Sequence, residues 1–207
     1  MSSRKMSSGK DKGKASAREG SDRKGLRQEA DGIVNEGVAI QDSASSLDRG
    51  AMESSLQVAA SKYRDALELV PGHAEASYNL ATCLSEQADL LELEGDIPGR
   101  QIQIALMTEA RTLLAEVIAR DTSRRGETTA LAHHATGNLL RSFAEFYRRH
   151  CPDTACPVGC PSLQDILEGL RQACQHFEAA VFIQQHLGAS IANTGEVLTH
   201  WGDAEAR

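Results

Sequence analysis

The chain predicts an all-α fold, a helix-turn-helix solenoid of about seven helices behind a basic tail, and three observations carry that expectation. Apolar residues recur at spacings of three and four, the signature of one buried helical face. Aromatic residues make up only 4% of the chain while Ala and Leu recur throughout, which favours helices packed through small and aliphatic side chains over a sandwich or barrel. Gly and Pro interrupt the pattern where helices need to end. At 207 residues and 41% hydrophobic composition, the chain is long enough to bury one core beside a tail.

Residues 1–28 hold nine basic side chains against three acids, whereas the remainder holds 13 basic and 26 acidic residues, so tail and body have opposite signs. The tail is rich in Ser, Gly, Lys and Arg and is expected to be disordered, because it buries too little apolar surface to offset the entropy of ordering. Such a segment suits nuclear import, loose association with nucleic acid, or plain solubilisation. The last is favoured, since no aromatic residue is interleaved to stack on bases.

Seven helices are expected, at 29–46, 51–70, 73–95, 98–121, 127–149, 162–186 and 188–202, in a domain running from 29 to 207. Pro71-Gly72 separates the second from the third, Gly95-Asp96 with Pro98 the third from the fourth, and Gly126 the fourth from the fifth. A Cys/Pro stretch precedes the sixth, for which Ser162 and Asp165 make a capping-type start, and Gly188 precedes the seventh.

A small-large-small pattern recurs in the even-numbered segments: Ala59, Tyr63, Ala66, then Ala110, Leu114, Val117, then Ala173, Phe177, Ala180. Small side chains let neighbouring helices approach to about 8–10 Å while the bulky residue fills the space between them. The third, fifth and seventh segments carry a second phrase, Tyr78-Asn79-Leu80-Ala81, Ala135-Thr136-Gly137-Asn138 and Asn193-Thr194-Gly195-Glu196. Leu84, Leu140 and Leu198 each lie three positions after the small residue of the phrase, Ala81, Gly137 and Gly195.

Over residues 30–202, and most clearly over ALELVPGHAEASYNLATCL, the chain resembles the tetratricopeptide repeat family. Ala66, Leu67, Pro71 and then Tyr78 to Ala81 match its motif in order. The resemblance implies alternating first and second helices, a seventh capping helix finished by Trp201, and insertions between paired helices, because the family repeats every 34 residues or so. It also implies that the first helix of each pair lines a concave groove for a partner protein or peptide. Its expected residues are Tyr78, Asn79, Thr82 and Glu86, then His134, Asn138 and Arg141, then Asn193, Glu196 and His200. The family's carboxylate clamp is not implied, since Asn79 is present but Val38, Leu131 and Ala135 stand where its Asn, Lys and Arg would be.

The chemically unusual stretch is HCPDTACPVGCP, in which Cys151, Cys156 and Cys160 could bind zinc with His150, Cys174 or His176 as a further ligand. No Cys-x-x-Cys knuckle is present, and an ordinary reduced loop is preferred to a metal or a disulfide. Cys83 and Cys174 lie on apolar faces and are expected to pack as small hydrophobes. His133 and His134 are adjacent and therefore about 100° apart on a helix, with one facing a groove and the other a neighbouring helix.

No phosphate-binding loop, G-x-S-x-G elbow or H-E-x-x-H is found, so the expectation is a non-enzymatic scaffold or adaptor without a cofactor. The alternatives are a zinc-stabilised regulatory module and nucleic-acid association through the tail. No apolar run approaches the 18 or so residues that cross a bilayer, no secretory apolar core begins the chain, and no Asn-x-Ser/Thr site occurs, so a cytoplasmic or nuclear location away from membranes is expected.

Overall fold

The computed structural model describes residues 11–92, 97–121, 126–150 and 163–183. They form α1 (Asp11–Ala44), α2 (Arg49–Leu69), α3 (Ala74–Glu92), α4 (Ile97–Arg120), α5 (Glu127–His150) and α6 (Leu163–Ile183), and no strand occurs among the described residues. The class is all-α. The seventh helix expected at 188–202, with Trp201, lies outside the described residues. No helix among those described is long and apolar enough to cross a membrane.

The largest departure from expectation is at the start, where α1 begins at Asp11 and not near residue 29. Residues 11–28 thus continue a helix where a disordered tail was expected. Lys, Arg, Ala and Glu are good helix formers, and no Pro interrupts the segment, so helical propensity favours a helix there. Residues 22–29 are all exposed, and Ala30 is the first buried side chain among those described from residue 22 onward.

Helix ends follow from local chemistry. Asp48 stands in extended backbone ahead of α2, and its carboxylate accepts the Ala51 N–H at 3.0 Å, satisfying an otherwise orphaned donor. After α2, the His73 N–H donates to the Val70 carbonyl at 3.1 Å, closing a turn with Pro71 and Gly72 at its centre. Gly72 has φ +85°, the left-handed conformation that the third residue of a type II turn requires, and Pro71 presets the position before it. Asp121 takes the same role before α5, accepting from the Gly126 N–H and the Thr129 hydroxyl.

Helices adjacent in sequence pack on one another from α1 through α6. Beyond these neighbours, α3 touches both α1 and α5, whereas the backbones of α2, α4 and α6 stay apart from each other. One apolar cluster runs through α1 to α5, and a smaller one of Leu140, Ala144, Leu170, Ala173 and Phe177 joins α5 to α6.

All nine residues of the small-large-small pattern are buried, at 3% exposure or less. The Tyr63 ring of α2 lies so close to Gly37 of α1 that a Cβ there would come within 2.6 Å of it. The Phe177 ring of α6 lies equally close to Gly137 of α5, at 2.5 Å from such a Cβ. A bulky side chain on one helix thus enters the space left by a missing side chain on its partner.

Candidate functional site

On α3, Tyr78, Asn79, Thr82 and Glu86 recur at helical spacing and are all half-buried. The Thr82 hydroxyl donates to its own helix at the Asn79 carbonyl, 2.9 Å away. Burial pushes the Tyr78 phenol above its ordinary range, with the nearby Glu86 adding to the effect.

Glu86 connects helices. Its Oε1 accepts from Gln41 Nε2 of α1 at 3.0 Å, and Gln41 Oε1 in turn accepts the Tyr63 hydroxyl of α2 at 2.8 Å. A relay of three side chains therefore joins three helices on this face. Burial raises the Glu86 carboxyl, Gln41 opposes the rise, and the acids Asp89 and Asp42 add to it. Asp89 is exposed, yet the protein around it also raises its carboxyl, against Arg141 and with help from Glu145, both on α5.

On α5, His134, Asn138 and Arg141 are half-buried as well. The Asn138 amide contacts His134 Nε2 at 3.1 Å, and because an amide N–H can only donate, His134 Nε2 must accept and its neutral ring carries the proton on Nδ1. Burial and the Arg141 charge both lower the His134 pKa. Arg141 lies 3.9 Å from Glu145 on its own helix. Thus α3 and α5 hold seven of the ten expected groove residues, while Asn193, Glu196 and His200 lie outside the described residues.

His133 points to α6, where its Nδ1 meets His176 Nδ1 at 2.9 Å. One ring must donate and the other accept, so the contact suits one proton between the two nitrogens and not two. Burial, then the neighbouring His133, lower His176 to about 4. His134 also reaches α6, with its ring 5.7 Å from that of Phe177.

Cys151, Cys156 and Cys160 lie outside the described residues. His150, the last residue of α5, packs against the Phe146 ring with centroids 4.8 Å apart. His176 is engaged with His133 and Cys174 is half-buried on α6. Cys83 is fully buried, its thiol donates to the Leu56 carbonyl at 3.1 Å, and burial raises it to about 11, which keeps it a thiol near neutrality.

The sequence alone did not point to a cluster at the start of α3, where ligand atoms of Asp31, His73 and Glu75 lie within 4.8 Å of one another. His73 is buried there, with Nε2 at 2.7 Å from Asp31 Oδ1 and Nδ1 accepting the Ala76 N–H at 3.3 Å. A nitrogen that accepts carries no proton, so the proton of the neutral ring sits on Nε2 and is directed at Asp31. This arrangement is a helix cap tied to α1, and it turns no imidazole lone pair toward the carboxylates. A separate cleft of about 390 Å³ opens across α5 between α4 and α6, with Phe143 and Ile166 in its apolar lining and Arg111 set 5.9 Å over the Phe143 ring. None of the expected groove residues lines it.

No protein-family model matches the chain, and a search of curated proteins finds no match. The tetratricopeptide resemblance therefore rests on the quoted sequence residues alone.

Proposed function

We propose that the chain is a non-catalytic, tetratricopeptide-like interaction scaffold that holds a segment of a partner protein against the face shared by α1, α3 and α5. The observation that carries this reading is the order of contacts. The odd-numbered helices touch one another in sequence while the backbones of the even-numbered ones stay apart, so α1, α3 and α5 form a continuous row. The half-buried polar side chains expected from the resemblance lie on two members of that row. Gln41 extends the same face onto α1 through its bond to Glu86.

Physical chemistry supports such a role. Half-buried Asn and Thr side chains can exchange hydrogen bonds with a peptide backbone, and Tyr78 offers apolar area at low entropic cost. The test is recovery of partners from a cell extract by the full chain and by a Tyr78→Ala, Asn138→Ala variant whose helical content has been checked by circular dichroism. The proposal expects loss of at least one protein that the wild type retains. Recovery of the same set by both would place the binding surface elsewhere.

A further inference from the structure

His133 of α5 and His176 of α6 meet corner to corner. Their ring centroids are 5.1 Å apart with planes inclined at 41°, and the 2.9 Å between the two Nδ1 atoms runs close to the line joining the rings. Such a contact holds one proton between two nitrogens. A first added proton leaves it intact, because one ring then donates as a cation while the other still offers a lone pair. A second added proton makes both nitrogens donors and sets two positive charges against each other, which removes the bond and repels the rings.

α6 depends on α5 for its packing. Among the described helices its backbone packs on α5 alone, and its buried apolar residues belong to the small cluster of Leu140, Ala144, Leu170, Ala173 and Phe177, separate from the one that runs through α1 to α5. An element with one neighbour and a satellite core opens at lower cost than the domain beside it. α6 also forms one wall of the cleft of about 390 Å³, through Asp165, Ile166, Glu168, Gly169 and Gln172, so its departure dismantles that cleft.

We infer that the His133–His176 contact is an acid-released latch: a second added proton on the pair frees α6 from α5 while α1 to α5 stay folded. The inference stands apart from the scaffold reading, since neither ring belongs to the expected groove. The charged and titratable groups around the contact are His134 and Arg141 on α5, Cys174 and Glu178 on α6, and Arg111 of α4 across the cleft. Burial, then His133, act on His176 and lower it to about 4. Its folded value lies below the ordinary 6.5, so the latch is closed above pH 6.5 and loses its hold as pH falls toward 4.

Amide hydrogen exchange of the full chain at pH 7 and pH 5, corrected for intrinsic rates, tests the latch. α6 should open on its own, with amides at least about tenfold less protected than those of α2 and α3. An opening that frees one proton site gains at most about tenfold per pH unit below 6.5, and half-exposed rings reduce that gain, so α6 protection should fall about fivefold from pH 7 to pH 5. In a His176→Gln variant the fall should vanish. The inference is overturned by α6 amides as well protected as those of α2 and α3, by equal protection at both pH values, or by a pH dependence that survives in the variant. Where the variant does not fold, the imidazole nitrogen-15 shifts of the wild type decide. Both rings taking protons near pH 6.5 with α6 still protected would overturn the latch, and one ring resisting protonation until α6 opens would uphold it.

Discussion

The pairs α1/α2 and α5/α6 use one packing device with different chemistry around it. In each, a fully buried ring from the second helix lies against a glycine of the first: Tyr63 on Gly37, and Phe177 on Gly137. Tyr63 adds a hydroxyl that continues through Gln41 to Glu86, so the first pair is hydrogen-bonded to α3. Phe177 has no such handle, and polar contacts between α5 and α6 run through His133 and His176. The shape of the contact is thus separable from its polarity: the ring sets how closely the helices approach, and the neighbouring polar atoms decide whether the pair bonds to the next unit or within itself.

Removing the rings should have the largest effect. Phe177→Ala and Tyr63→Ala should each cost about 3–5 kcal/mol in denaturant unfolding of the full chain, since each deletes a buried aromatic ring and leaves a cavity. Filling the space under the rings comes next. Gly37→Ala and Gly137→Ala add a methyl within 2.6 and 2.5 Å of ring atoms, and the overpacking cost of about 1–3 kcal/mol should outweigh the roughly 1 kcal/mol that Ala gains over Gly in a helix. Gly32→Ala provides the contrast on α1. Nothing lies within 4 Å of a Cβ at that position, so the same substitution five residues away should stabilise by about 0.5–1 kcal/mol.

Two smaller effects separate the polar surroundings. Tyr63→Phe keeps the ring and removes the hydroxyl, and should cost about 0.5–1.5 kcal/mol while Gln41 loses a donor. For the last pair, His176 is lowered to about 4 in the folded chain from an ordinary value of 6.5, so between those values the unfolded state binds more protons. Stability should be fully present above pH 6.5 and decline as pH falls toward 4, by on the order of 1 kcal/mol between pH 7 and 5 once residual exposure is allowed for. In a His176→Gln variant the pH dependence of the unfolding midpoint should flatten over that window.

Much of the fold was legible because it depends on local signals. Pro71-Gly72, Gly126 and the apolar spacing set helix ends to within a few residues, and the small-large-small pattern named nine residues that are all buried. Gly137 was visible because it belongs to a recurring phrase, whereas Gly37 sits in an unrelated context, VNEGVAI, and its function appears only when Tyr63 is brought over it. The start of α1 was missed because burial was weighed and propensity was not. For the candidate site, the stripe from Tyr78 to Glu86 followed from helical spacing, but its link to Gln41 crosses 45 residues and leaves no trace in sequence. His73 was passed over because imidazole is not a usual helix cap, and its position became meaningful only with Asp31 alongside.

The central claim is that the α1/α2 and α5/α6 pairs are each set by a ring seated on a bare glycine. Proton NMR of the full chain tests it directly. The account predicts nuclear Overhauser contacts from the Tyr63 ring to the Gly37 Hα protons and from the Phe177 ring to those of Gly137, with both glycine signals displaced by ring currents. Glycine Hα protons at ordinary shifts, without contacts to either ring, would contradict it.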